Sequence, residues 1–164
     1  MKTLVLVRHG KAEHEGGDLD RSLTHQGNSD SARMAEQFHE FGLQVHAVLS
    51  SPALRAKSTA RYFADGEVLP VGLDDRIYDA GVSELLDVVQ ELEDFQDTVV
   101  LVGHNPGLSE FLQVLLDSDH ASMPTASVAV VSFDVPEWVD VVAGIGELEW
   151  FMDPKTIKTE SQAA

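Results

Sequence analysis

Three short segments of this 164-residue chain set a cation or an imidazole at the abrupt end of an apolar run. Residues 4–7 (LVLV) lead into Arg8, His9 and Gly10; residues 45–50 (VHAVLS) lead into Ser51, Pro52 and Arg55; residues 98–102 (TVVLV) lead into Gly103, His104 and Asn105. A neutral imidazole is a competent nucleophile or proton carrier near pH 7. Guanidinium forks hold the oxygens of an anion two at a time. Arg8, His9, Arg55 and His104 are therefore the candidate residues for chemistry on an anionic substrate.

Each apolar run is short, rich in β-branched residues and bounded by loop-forming residues, which predicts buried strands. If the three strands are parallel, all four candidates emerge at one edge of one sheet, where ligands bind in open α/β folds. Helices are predicted between them. Thr24 caps a helix that runs to Phe41 and stops at Gly42, with Ala32, Met34, Ala35, Phe38 and Phe41 at helical spacing. Ser51 and Pro52 read as the cap and first position of a second helix reaching Phe63, which puts Arg55 in a first turn, where backbone N–H groups also attract anions.

Further along, residues 68–73 predict an edge strand, because Pro70 cannot donate to a ladder. A helix capped by Ser83 follows, carrying Leu85, Leu86, Val88, Val89, Leu92 and Phe95. Asn105 and Pro106 open a fourth helix with Leu108, Phe111, Leu112, Leu115 and Leu116 on its buried side. Strands are expected at 126–135 and 148–152, with a turn or short helix between them around Trp138 and Gly144 to Gly146. The expected fold class is α/β, a single three-layer domain with a mainly parallel central sheet flanked by helices on both faces. Its expected bounds are residues 1–154, followed by a polar, frayed tail at 155–164.

Composition narrows the functions. The chain has 28 acidic and 11 basic residues, a formal charge of −17, which argues against nucleic acid or an anionic membrane surface as partner. An anionic substrate is repelled at long range by such a protein, so its site must be a local cluster of cations. Cysteine is absent, which excludes disulfides, thiolate metal sites and cysteine nucleophiles. No stretch has a helical metal-ligand spacing such as H-E-x-x-H, and neither metal nor other cofactor is expected. No apolar run approaches the ~20 residues of a membrane span, and no signal-peptide pattern opens the chain, so a cytoplasmic protein is expected.

Four motifs in order now carry a resemblance: Arg8-His9-Gly10; Leu23, Thr24 and Gly27 entering the first helix; Ser51-Pro52 with Arg55-Ala56; and Gly103-His104. Together they resemble the histidine phosphatase superfamily over roughly the first two thirds of the chain. The short length and lack of a large insertion are closest to its SixA-type phosphohistidine phosphatases. The resemblance implies a phosphoglycerate mutase-like fold and His9 as a nucleophile that becomes phosphorylated and is then hydrolysed. It also implies phosphate held by Arg8, His9, Arg55 and His104, with two arginines and one histidinium sharing the charge. The partner it implies is a phosphohistidine protein or a small phosphomonoester; a catalytically idle phosphate-binding module is the third reading.

In many members of this superfamily a carboxylic acid from the loop after the third strand protonates the leaving group. Asp79 is the candidate here, with Glu84 and Asp75 beside it; each is equally able to cap the following helix or face water. Phosphohistidine lessens the need, since a protonated imidazole leaves more readily than an alkoxide. Lys11 is placed either to add charge to the site or to face water. His14, His25, His39 and His120 are expected on the surface. The Asp18-Leu19-Asp20 stretch does not follow a strand and is set aside.

Overall fold

The computed structural model describes residues 1–64 and 69–157. Within them the chain runs β1 (Lys2–Arg8), α1 (His25–Phe41), β2 (Ala47–Ser50), α2 (Leu54–Phe63), β3 (Val71–Leu73), α3 (Val82–Gln90), β4 (Thr98–Gly103), α4 (Gly107–Leu116), β5 (Val128–Phe133) and β6 (Glu147–Met152). The strands form one six-stranded sheet in the order β3-β2-β4-β1-β5-β6. β1 pairs in parallel with β4, β4 with β2, and β2 with β3, while β5 runs antiparallel to both β1 and β6. The sheet is thus mainly parallel, and the expected α/β architecture stands.

Alternation along β1 explains the three layers. Successive side chains of a strand point to opposite faces, so Leu4 and Leu6 join one core while Val5 and Val7 join the other. On the first face α3 and α4 cover the sheet through Leu85, Val88, Val89, Phe111, Leu112 and Leu115, with Trp138 fully buried beside them. On the second, α1 and α2 contribute Met34, Ala35, Phe38, Ala56, Ala60 and Phe63. Both faces of the central strands are apolar because both are covered.

Thr24 caps α1 as expected, its hydroxyl accepting from the Gly27 N–H at 2.9 Å, and Gly42 ends the helix in the left-handed region at φ 90°. Several expectations need correction. Ala32 is exposed, and Phe41 is half-exposed and stacks on Trp150 at the helix end. α2 begins at Leu54, because Ser51 and Pro52 remain in the connecting loop. α3 is capped at Gly81 by Glu84 instead of at Ser83, and it ends at Gln90, leaving Phe95 exposed in the following loop. β3 lies at the sheet edge as predicted but starts after Pro70; Val68, where the strand was predicted to begin, lies outside the described residues. Ile157 is buried in the second core, so packing continues beyond residue 154.

Candidate functional site

Register brings the motifs together. Arg8 pairs with Gly103 across β1 and β4, and Ser50 pairs with Val102 across β2 and β4, so the three strands end level. Backbone hydrogen bonds then fix the loops beyond: the His9 N–H donates to Gly103 O at 3.1 Å, the Ser51 N–H to Val102 O at 3.1 Å, and the Ala126 N–H to His9 O at 3.0 Å. His9 and His104 meet with ring centroids 5.0 Å apart. Arg8 and Arg55 both act electrostatically on the two imidazoles. All four candidates therefore share one site.

The Arg8–Gly10 loop is clamped from behind. The Gly10 N–H donates to Thr59 Oγ1 at 3.0 Å, and the Thr59 hydroxyl donates to Arg55 O at 2.9 Å, linking the loop to the helix that carries Arg55. The first turn of α1 presses on the same loop. A Cβ on Gly27 would lie 2.1 Å from Lys11 O, a distance no side chain can occupy. Only glycine permits that approach.

The tautomer of His9 follows from its partner. Nδ1 lies 2.7 Å from Gly10 O, and a carbonyl can only accept, so the Nδ1–H donates and Nε2 keeps its lone pair. Burial, with the nearby guanidinium charges of Arg55 and Arg8, lowers the His9 pKa to about 4, so the ring is neutral near pH 7. His9 thus presents an unprotonated nitrogen held in one orientation.

His104 is set by Ser51. Its Nε2 lies 2.7 Å from Ser51 Oγ, and that oxygen already accepts from the Ala53 N–H at 3.2 Å. The Ser51 hydroxyl can donate to Nε2, and in that arrangement the His104 proton sits on Nδ1. Burial lowers the His104 pKa to about 3, the charge of His9 once that ring is protonated and the charge of Arg55 adding to the effect. The expected histidinium is therefore a neutral imidazole near pH 7, with its N–H at Nδ1 when Ser51 donates to Nε2. Nδ1 is buried without a hydrogen-bond partner, as is Nε of Arg8. Buried donors of this kind are rare and costly unless something accepts from them. Arg8 is held from the other side, Nη1 donating to Met123 O at 3.0 Å, and Asn105 Nδ2 donates to the same carbonyl at 2.9 Å.

Asp18 enters this site although its stretch follows no strand, which corrects the expectation from the sequence. The segment from Ala12 to Leu23 folds back on itself, closed by an antiparallel bridge between those residues, and its tip is a turn of 3-10 helix at Asp18–Asp20. Arg55 Nη1 donates to Asp18 O at 2.5 Å and Nη2 to Asp18 Oδ2 at 3.2 Å. The Tyr78 hydroxyl donates to the same carboxylate, and Arg21 Nη1 reaches Oδ1 at 3.1 Å. These donors hold the Asp18 pKa at about 2. No local pattern announces such a role, because it depends on a loop returning to a helix 37 residues away.

The acid candidates are dispersed. Glu84 accepts from the Gly81 N–H at 3.1 Å as a helix cap. Asp75 is exposed in a short helical turn, its carbonyl accepting from the Tyr78 N–H at 3.1 Å. Asp79 is exposed at φ 52°, next to Tyr78, whose edge packs on His104 with centroids 5.6 Å apart. Lys11, His14, His25, His39 and His120 are all exposed.

The level strand ends thus gather an oriented neutral histidine and buried nitrogens without hydrogen-bond partners in one place. The profile of the histidine phosphatase superfamily (branch 1) matches residues 4–93, and the chain belongs to that superfamily. Among solved structures, the chain is similar to the protein histidine phosphatase SixA complexed with tungstate, at TM-score 0.81 and 24% identity over 94% of this chain and 99% of that one. It is equally similar in fold to a protein of Nakamurella multipartitia described as a SixA phosphohistidine phosphatase, at TM-score 0.81 and 27% identity over 93% and 96% of the two chains. A phosphoserine phosphatase variant of Entamoeba histolytica, in complex with phosphoserine, matches at TM-score 0.70 and 18% identity over 94% and 98%.

Proposed function

We propose that the protein is a phosphatase that works through a phosphohistidine formed on His9, and that its substrate is a phosphohistidine protein. The observation that carries this reading is the pairing of a lone-pair nitrogen on His9 with buried, unpartnered donors at Arg8 Nε and His104 Nδ1. A phosphoryl group spreads its charge over three equatorial oxygens in the transition state. Arg8, Arg55 and the His104 Nδ1–H supply the donors for those oxygens, pre-set by Met123, Asp18 and Ser51.

His9 Nε2 attacks phosphorus in line, and the bond from phosphorus to the leaving group breaks. Water then attacks the His9 phosphoramidate, releasing inorganic phosphate and returning the lone pair to Nε2. Guanidinium and imidazole meet the charge requirement, so the reading calls for no metal. A phosphohistidine ring already protonated at its other nitrogen takes the electron pair of the P–N bond and leaves as neutral imidazole, which suits a site whose carboxylates are half-exposed or turned to other tasks. Ester substrates need a proton at the leaving oxygen, and Asp79 is the candidate donor for them.

The similarity to SixA proteins supports the protein substrate; the similarity to a phosphoserine phosphatase favours, as second reading, a phosphatase of small phosphomonoesters. An idle phosphate-binding module has no use for an oriented Nε2. Cytoplasmic residence belongs to the same proposal; among the described residues no helix is long and apolar enough to cross a membrane. The test is phosphate release, at matched concentrations, from a phosphohistidine protein and from a panel of small phosphomonoesters, with His9→Ala as control. Release from the protein that dominates and vanishes in the variant supports the proposal. Dominance of small esters replaces it with the second reading.

A further inference from the structure

Asp18 poses a problem for a phosphate site. The Arg55 side chain is 8% exposed, and the structure commits both of its terminal nitrogens to Asp18, one to the backbone carbonyl and one to the carboxylate. A phosphate-binding arginine thus carries a counter-ion of its own. The carboxylate is half-exposed, tied further to Tyr78 and Arg21, and its charge is felt at the His104 ring. It faces the same site as the four residues proposed to hold phosphate.

The physical consequence concerns affinity. Arg8, Arg55 and Arg21 all impose positive potential on His9, in surroundings where charges are poorly screened. Such a cluster binds a phosphate dianion strongly whether it is substrate or product. A phosphatase gains nothing from holding its product, since only binding that favours the transition state speeds turnover. A fixed negative charge on Arg55 opposes every bound dianion. The backbone carbonyl of Asp18 is sufficient to orient Nη1, so the carboxylate is not needed merely to place the guanidinium.

We propose that Asp18 is an affinity-setting residue, the resident counter-ion of Arg55 that weakens the hold of the site on inorganic phosphate and so permits product release. The proposal rests on the reading of the site as a phosphatase centre. Asp18→Asn keeps the shape of the side chain, one oxygen to accept from Arg55 and Tyr78, and the backbone contact with Arg55; it removes the charge and the second oxygen, which accepts from Arg21.

The test is calorimetric titration of inorganic phosphate into the wild-type chain, Asp18→Asn, Asp18→Ser, Tyr78→Phe and Arg8→Ala, with thermal melting to verify folding. The expected result is about tenfold tighter phosphate binding in Asp18→Asn and Asp18→Ser, with an equal fall in the product-inhibition constant. Tyr78→Phe, which keeps the charge, is expected to stay within about twofold of wild type. Equal or weaker binding in the folded Asp18 variants, while Arg8→Ala still weakens binding, overturns this proposal and leaves the phosphatase reading intact. If Arg8→Ala has no effect on phosphate binding, both fall together.

Discussion

Ser51 Oγ lies 2.7 Å from His104 Nε2, joining the end of β2 to the end of β4 through a fully buried hydroxyl. When Ser51 donates in this contact, the His104 proton sits on Nδ1, and the neutral ring can donate to an oxyanion from there. Ser51→Ala removes that donor and leaves a buried nitrogen unpaired, at a cost of about 1–3 kcal/mol. The expected outcome is a fall in kcat of about tenfold or more, with KM less affected. Nitrogen NMR of the ring supplies the second readout: the Nδ1–H tautomer should dominate in the wild type and lose its dominance in the variant.

The two imidazoles make a pH prediction. Their pKa values in the folded chain, about 4 for His9 and about 3 for His104, lie below the ordinary histidine value of 6.5. Between these values and 6.5 the unfolded chain binds more protons than the folded one, so stability rises with pH across that window. As pH falls from about 6.5 toward 4, stability should decline by up to about 1.4 kcal/mol per pH unit for each histidine. Activity should hold lower than an ordinary histidine allows, its acid limb falling near pH 4 to 5 because attack needs a neutral His9. Denaturation midpoints and kcat/KM against pH check both statements.

Much of the fold and of the site is legible in the sequence. The apolar runs at 4–7 and 98–102 form fully buried strand interiors, the run at 45–50 forms a strand only from Ala47 and is partly buried, and the residues at their ends share an edge because the strands are parallel. Helices announced by period and cap, such as the one from Thr24 to Gly42, followed. What stayed hidden depends on long-range return of the chain. Asp18 looks like any acidic loop residue until its loop closes on Arg55. Ser51 looks like a helix cap because Ser-Pro usually is one, but its hydroxyl is drawn to His104. Glu84 looked equally able to serve as acid or cap, and only the position of the Gly81 N–H decides between them.

That decision is testable. Glu84→Gln should leave kcat within about twofold of wild type, since its carboxylate faces a helix N-terminus and not the histidines. Loss of part of the cap should lower stability by about 0.5–1 kcal/mol. Steady-state kinetics and a melting curve on the same sample check the two parts.

Gly27→Ala reverses a familiar rule. Alanine for glycine in a helix ordinarily stabilises by about 1 kcal/mol. Here the new Cβ would meet Lys11 O at 2.1 Å and force the Arg8–Gly10 loop from the first turn of α1. A loss of about 3 kcal/mol is expected, which in a chain of this size lowers Tm by about 6–12 °C. Activity should fall with it, because the displaced loop carries His9. Calorimetry and phosphatase assay together check the link.

The central claim is that His9 Nε2 accepts the phosphoryl group. The direct measurement is rapid quench of the enzyme with a substrate bearing labelled phosphorus, followed by tryptic mapping under alkaline conditions that preserve phosphohistidine. The account predicts label on the peptide containing His9, attached at Nε2, forming and decaying at rates that match turnover, and absent from His9→Ala. Turnover with no label at His9, or label on another residue, would contradict it.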